Sequence, residues 1–499
     1  MKKTTLFMLS AIALIMLMLS ECISKKEKSI GTNELVVNGI IPVPLPYNIV
    51  PGFHFPEDST VIYKWTNDKT FANSYDSTNI YKHAWGIWAG LTAQSGQTFA
   101  GDSLLVYETW LGLNEVRQLV VDNKASCEVK SFTRNGRAPL SRPKQFEHAA
   151  RFASKNAGLA FNVASVLPVS ENNANFWVTV SYNPDAACFV TQNKILKQSV
   201  INKYYNSTGL GAIPSFPAKS ITVKPTYMVY SNKNVLFKLP VWITAPVPPN
   251  GNFTGNANSF VFVDKSNKQI AGKIPVPVDS TEKNTAKIAD ATVNLSDFIY
   301  LNIDQKMANE MNQQDSIQGM NGDGRAIKGQ VALLVAMHVT TKEISNWTWQ
   351  SYYWTPNRSQ PGSPSSTLAA SLRPSQIKGA AANYACVAAY VMLTTPNKIT
   401  TSATNNSMFG YNPYLEGGFG PTTFTFPNTY NKAYQYGVQS NCMSCHALAI
   451  ADTNASKYTT DQIINLTDNY FKKQVSLDFA WSVQSALIND TKPYWQINK

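Results

Sequence analysis

The sequence predicts an α+β fold, mainly antiparallel β with a few helices. Three observations carry this. Short runs rich in β-branched and aromatic residues recur along the chain, turn-rich stretches separate them, and apolar residues at helical spacing stand out in one early segment. With 499 residues, of which 44% are hydrophobic and 11% aromatic, the chain can bury a large core.

Residues 1–22 read as an export signal. Lys2 and Lys3 precede an almost wholly apolar run from Leu6 to Leu19, and Cys22 follows closely. The run is too short and too abruptly ended to be read first as a permanent span. Leu19-Ser20-Glu21-Cys22 is similar to a bacterial lipobox, whose cysteine becomes the lipidated first residue; Glu21 departs from the small residue usual there. An uncleaved anchor is the alternative. No later segment is long and apolar enough to cross a membrane, so the expectation is a body on a lipid tether at Cys22, on the periplasmic face of a bacterial membrane.

Residues 23–56 read as tether and linker, with a polar stretch from Ser24 to Lys28 and a Pro-punctuated run from Ile41 to Pro56. A β-rich N-terminal lobe is expected over 57–250. It opens with a helix from Asn79 to Leu91, where Ile80, Ala84, Trp88 and Leu91 fall at helical spacing. Strands are expected over Ser103 to Trp110, Asn175 to Tyr182, Ser220 to Tyr230 and Val235 to Thr244. A second lobe, 251–499, holds strands over Ser259 to Val263, Gln330 to Thr340 and Trp347 to Trp354. Ala245 to Asn258, Gln318 to Arg325 and Asn357 to Ser366 read as turns. The two lobes can equally form one body, and there is no internal repeat.

The formal net charge is +12. Loss of residues 1–21 removes Lys2, Lys3 and Glu21 and leaves about +11. In an exported protein that balance points to an acidic redox partner, anionic lipid or haem propionates, with no nucleic acid partner. The densest basic cluster, Arg134, Arg137, Arg142, Lys144 and Arg151, reads as a solvated loop face.

Cys442-Met443-Ser444-Cys445-His446 is a C-x-x-C-H pentad, the signal for one covalently attached c-type haem. The spacing sets both thiols on one helical turn, where each can form a thioether, and offers the His446 imidazole as proximal iron ligand. A zinc site would want a second Cys/His pair, yet Cys127, Cys188 and Cys386 stand far apart. A thioredoxin-like dithiol would want an apolar strand before it, whereas residues 420–440 are rich in Thr, Tyr, Asn and Gln. A structural disulfide within the pentad is a third alternative. Once Cys22, Cys442 and Cys445 are assigned, the remaining cysteines are expected as buried thiols or one isolated bridge.

No Met or His follows His446, so a second axial ligand must come from upstream or be absent. The histidines available are His54 in the Pro-rich linker, His83 in the expected helix, His148 after the basic cluster, and His338. Strict alternation along the strand around His338 sets Val331, Leu333, Val335, Met337 and Val339 on one face. Ala332, Leu334, Ala336, His338 and Thr340 take the other, whose alanines leave room for a flat macrocycle. His338 is therefore the candidate distal ligand or haem-pocket group, against its reading as an ordinary core histidine; Met337 reads as core packing. Trp347 to Trp354 follows with aromatic residues on both faces, read as core packing first and as a haem wall or electron-hopping element second.

With these residues in view, the chain resembles an exported monohaem c-type cytochrome, although its size and strand content set it apart from the small all-helical cytochrome c fold. His83 to Leu91, Val106 to Trp110 and Trp347 to Trp354 resemble large uncharacterised bacterial lipoproteins of that type. The C-terminal part, a Trp-rich strand followed by a loop and Cys442 to Asp452, is similar to the small β-sheet monohaem cytochromes that oxidise hydroxylamine through a lysine-crosslinked haem. That resemblance makes Lys224, in Ile221-Thr-Val-Lys-Pro225, the nearest counterpart of the crosslinking lysine.

Three functions follow as expectations. The first is single-electron transfer by a haem held between His446 and His338, at a potential below that of His/Met ligation. The alternative is an enzyme with an open distal site acting on a small oxidant or nitrogen compound, peroxidase-like or hydroxylamine-oxidising. A haem-bearing binding or sensing lipoprotein is a third reading.

Overall fold

The computed structural model describes residues 39–66, 76–127, 134, 136–142, 176–230, 235–241, 243, 259–279, 281–317, 326–362, 364–390, 410, 412–416, 442–454 and 469–497. Cys22, the signal segment, His148, Lys144, Arg151 and the turn-rich stretch around residue 250 lie outside these.

The fold is α+β with mainly antiparallel strands. Its main sheet has eight strands: β1 (Leu111–Gly112), β2 (Phe176–Val178), β3 (Ser181–Tyr182), β4 (Ile221–Tyr230), β5 (Tyr300–Asn302), β6 (Val331–Thr341), β7 (Thr348–Trp354) and β8 (Tyr384–Ala388). They pair in the order β8-β7-β6-β4-β3-β1, with β5 also on β6 and β2 also on β4. Strands from both sides of residue 250 thus share one sheet. A smaller sheet joins Leu236–Pro240, Ser259–Asp264, Val278–Asp279 and Thr292–Asn294.

The apolar run of β6 explains its central place. A strand covered on both faces needs apolar side chains at successive positions, and every residue of β6 except His338 is buried. The strand departs from strict alternation at one point. Leu334 pairs with Tyr227 while Ala336 pairs with Thr226, so Val335 is an extra residue, a β-bulge, and the two faces exchange across it. The face shared with His338 is therefore Val331, Leu333, Ala336 and Thr340; Ala332, Leu334, Met337 and Val339 lie on the opposite face. This corrects the grouping that uninterrupted alternation implies, while keeping Met337 and His338 apart. A hydrogen bond of 2.9 Å between the hydroxyls of Thr340 and its cross-strand partner Thr222 marks the His338 face.

Helix α1 (Ser77–Leu91) covers the Met337 face. Asp76 caps it by accepting from the backbone N–H of Asn79 at 3.0 Å. Trp88 stacks on Tyr352, the β7 partner of Met337, with ring centroids 4.4 Å apart. Tyr352 in turn donates its hydroxyl to the carbonyl of Ala84. The Pro-punctuated segment read as linker packs here instead of running free: Leu45 and Phe53 are buried against α1 at Gly90 and Gly86. A Cβ at Gly86 would fall 2.1 Å from the Phe53 ring.

The described part of the basic cluster is not a solvated face. Arg134, Arg137 and Arg142 are buried, and each meets carboxylates: Arg134 with Glu115 at 2.8 Å, Arg137 with Asp102 at 3.1 Å, and Arg142 with Asp315 at 3.1 Å. Arg142 also lies over the Trp177 ring at 3.8 Å. Desolvated guanidinium groups need such partners, so these charges hold the body together and are not displayed to a partner protein. Cys127 and Cys188 form the one bridge among the described residues, and Cys386 is a buried thiol.

Candidate cofactor site

The pentad forms a single helical turn, α2 (Cys442–His446), on the His338 face of the sheet. Helical spacing sets Cys442 and Cys445, three residues apart, on one side of that turn, with His446 beside them. Met443 points the other way into a core with Leu448 and Ala449, which anchors the turn. The Cys442 N–H donates to the Gly410 carbonyl at 3.1 Å, and the Trp481 indole donates to that of Cys445 at 3.2 Å. Both cysteines are thiols. Burial, reinforced by Glu416 and Cys445, holds the Cys442 thiol well above the usual thiol range.

His446 is held in one tautomer. Its Nδ1 lies 2.8 Å from the carbonyl oxygen of Phe479; a carbonyl only accepts, so Nδ1 carries the proton and Nε2 keeps its lone pair. Burial pulls the imidazole down to about 3, against the opposing effect of the Phe479 bond, and the charges of His338 and Lys224 push the same way as burial. The ring is thus neutral at physiological pH, the form that binds a metal. Trp349 packs on it with ring centroids 4.2 Å apart.

The carbonyl that orients His446 sits in strained backbone. Asp478 and Phe479 have φ of 48° and 67°, the left-handed region that a bulky aromatic residue rarely enters. Three contacts hold the turn. The Trp347 indole donates to the Asp478 carbonyl at 2.9 Å, the Phe216 N–H to one Asp478 carboxylate oxygen at 3.0 Å, and the Lys342 ammonium to the other at 2.6 Å.

A second set of groups faces the same region from the sheet. His338 on β6 stands opposite Lys224 on β4 and Ser351 on β7. Its Nε2 lies 2.8 Å from Glu416 Oε1, while Glu416 Oε2 accepts from the Asn412 N–H at 2.6 Å. Asn412 is fixed in turn by donating to Ser351 Oγ at 2.8 Å. Lys224 is half-buried, and desolvation lowers it to about 8 despite the nearby Glu416. His338, Lys224 and Glu416 form one acid–base group whose charges reach His446 and Cys442.

The remaining candidates are elsewhere. His54 is exposed, and His83 is buried on the opposite face of the sheet. Met337 is buried on that opposite face too. Trp349 is the aromatic residue of β7 that meets the pentad, whereas Tyr352 and Trp354 belong to the other core. Sequence reasoning did not single out Glu416 or the Asp478–Phe479 turn; neither lies in a motif, and only the folded chain brings them to the pentad.

These residues fit a covalent haem. Two thiols on one turn, a neutral imidazole with its far nitrogen fixed as donor, and an aromatic wall are the donor set such a group needs. Among the described residues no three His, Cys, Asp or Glu side chains gather to hold a metal ion by themselves. No protein-family model matches the chain, and no curated protein or solved structure matches it.

Proposed function

We propose that the chain is an exported haem c oxidoreductase, with one haem held by Cys442 and Cys445 and its iron bound by His446 Nε2. The bond from His446 Nδ1 to the Phe479 carbonyl carries this reading, because it leaves the other nitrogen as the only donor. When bound, the haem would supply one-electron chemistry at the iron.

The acid–base group favours action on a small oxidant or nitrogen compound, such as a peroxide or hydroxylamine. The carboxylate of Glu416 accepts the Nε2 proton of His338, so that pair can hold and return a proton beside the site. Lys224, lowered to about 8 by desolvation, is the third proton-bearing group, and all three are half-buried.

Electron transfer is the second reading. His338 shares its sheet face with the pentad, and its release from Glu416 would offer Nε2 as a sixth ligand. Visible spectra of the ferric and ferrous protein, with and without cyanide, distinguish the two. A high-spin ferric spectrum that shifts on cyanide addition supports the open site; a low-spin spectrum that turns high-spin in His338→Ala overturns it in favour of transfer. Retained haem stain on a denaturing gel after Cys442→Ala/Cys445→Ala would sink both. The lipid tether at Cys22 and the periplasmic location are part of the proposal, tested by labelled fatty-acid incorporation into the full chain and its Cys22→Ala variant.

A further inference from the structure

On the face of the sheet away from the pentad, a polar group lies buried among aromatic rings. Tyr390, His83 and Glu343 are all almost inaccessible. His83 Nδ1 lies 2.6 Å from the Tyr390 hydroxyl and its Nε2 lies 3.1 Å from Glu343 Oε1. Glu343 receives two further donors: the Glu57 N–H to Oε1 at 2.7 Å and the Thr341 hydroxyl to Oε2. With donors at both oxygens, Glu343 acts as a carboxylate that accepts the proton of His83 Nε2. The other ring nitrogen, Nδ1, therefore bears a lone pair and accepts from the Tyr390 O–H. Phe53 and Trp65 pack on the imidazole, with ring centroids at 5.4 and 5.6 Å, and shield it from water.

This group is wired to the candidate cofactor site through a single thickness of sheet. Tyr390 directly follows Ala389, whose N–H donates to the Trp349 carbonyl at 2.7 Å. The Thr348 hydroxyl, next to Trp349, lies beside the phenol. The Trp349 ring, on the far side, rests on His446. A buried phenol gives up an electron readily only when its proton has a base to go to, and His83 Nδ1 is such a base at hydrogen-bond distance.

We infer that Tyr390 is a redox-active tyrosine, which passes an electron through Trp349 toward the Cys442–His446 turn and its phenolic proton to His83, held by Glu343. The inference rests on the haem reading above. Oxidation removes one electron from Tyr390 and breaks its O–H bond, leaving a neutral phenoxyl radical and a His83 imidazolium paired with the Glu343 carboxylate. The oxidant is a hydroperoxide. Its O–O bond breaks as two electrons and two protons convert hydrogen peroxide to two waters. Tyr390 would supply one of these electrons and a bound haem the other; the protons would come from solvent, while the phenolic proton stays on His83.

The test mixes the full-length, haem-stained protein with hydrogen peroxide, freezes it within milliseconds, and records the electron paramagnetic resonance spectrum. A tyrosyl signal that narrows with ring-deuterated tyrosine is expected. It should be lost in Tyr390→Phe at unchanged haem content and should fall in yield in Trp349→Phe. Nitric oxide quenching of the wild type followed by peptide mapping should place the adduct at Tyr390, which locates the radical even if Tyr390→Phe does not fold. A haem-loaded wild type with no tyrosyl signal, or an adduct mapped elsewhere, overturns the inference while leaving the haem reading intact. Absence of haem stain in the wild type overturns both through their shared premise.

Discussion

The Nδ1 of His446 donates to the Phe479 carbonyl across 2.8 Å, and that carbonyl belongs to a residue held at a φ of 67°. A strained turn fixes the imidazole, and the Asp478 carboxylate fixes the turn through Lys342 and Phe216. Asp478→Ala leaves the buried Lys342 without its carboxylate and frees the turn to relax. The expected cost is about 3–5 kcal/mol of stability, the usual range when one partner of a buried ion pair is removed. A lowered thermal midpoint together with an altered haem absorption spectrum at unchanged haem content is expected. An unchanged spectrum would show that the turn does not position His446.

Glu416 is the acceptor for His338, so Glu416→Gln keeps the shape of the group and removes its charge. Turnover of peroxide or hydroxylamine should fall by about 100-fold, within the range for loss of a positioned acid–base group. Haem content should not change. Steady-state assays at matched haem concentration check this, and a rate within about twofold of the wild type would remove Glu416 from the proton pathway.

The pentad, the central strand and the early helix are legible in the sequence because each is a local pattern: fixed Cys/His spacing, a continuous apolar run, and apolar residues at helical period. The rest depends on long-range partners. The bulge at Val335 is visible only in the pairing of β6 with β4, and it moves Val331 and Leu333 onto the face of His338. Arg134 and Arg142 look like surface charges until Glu115 and Asp315 arrive from distant segments. Glu416 sits in an Asn/Tyr/Pro/Gly-rich stretch with no motif, and Phe479 acts through its carbonyl, which no side-chain pattern reports.

Lys224 gives the pH dependence of stability a definite sign. Burial lowers it from 10.5 to about 8, so between those values the unfolded chain holds the proton that the folded chain has released. Stability therefore rises as pH climbs through this window, and below it the folded protein bears the full cost of a desolvated ammonium. Lys224→Met should be more stable than the wild type by about 3 kcal/mol at neutral pH, and the gap should close as pH rises from about 8 toward 10.5. Denaturant titrations at several pH values measure it. A gap that is constant across the range would mean that Lys224 does not titrate there, as expected if its amine were consumed in a covalent crosslink.

Gly86 tests how tightly the N-terminal segment is bound to the body. It lies mid-helix in α1, where alanine is intrinsically favoured by about 1 kcal/mol, so propensity alone predicts that Gly86→Ala stabilises. The packing predicts the reverse, because the added Cβ would fall 2.1 Å from the Phe53 ring, a buried side chain with little room to withdraw. Overpacking of this kind costs about 1–3 kcal/mol, enough to outweigh the propensity gain or to lift the segment around Phe53 from the helix. Phe53 also packs on His83, so displacement should expose the backbone of residues 50–56 and loosen the cover over that imidazole. Hydrogen exchange should show lost protection over 50–56 in Gly86→Ala, with a lower thermal midpoint. The double variant Gly86→Ala/Phe53→Leu, which makes room for the methyl group, should recover part of the loss; a more stable single variant would show that the segment is not seated on α1.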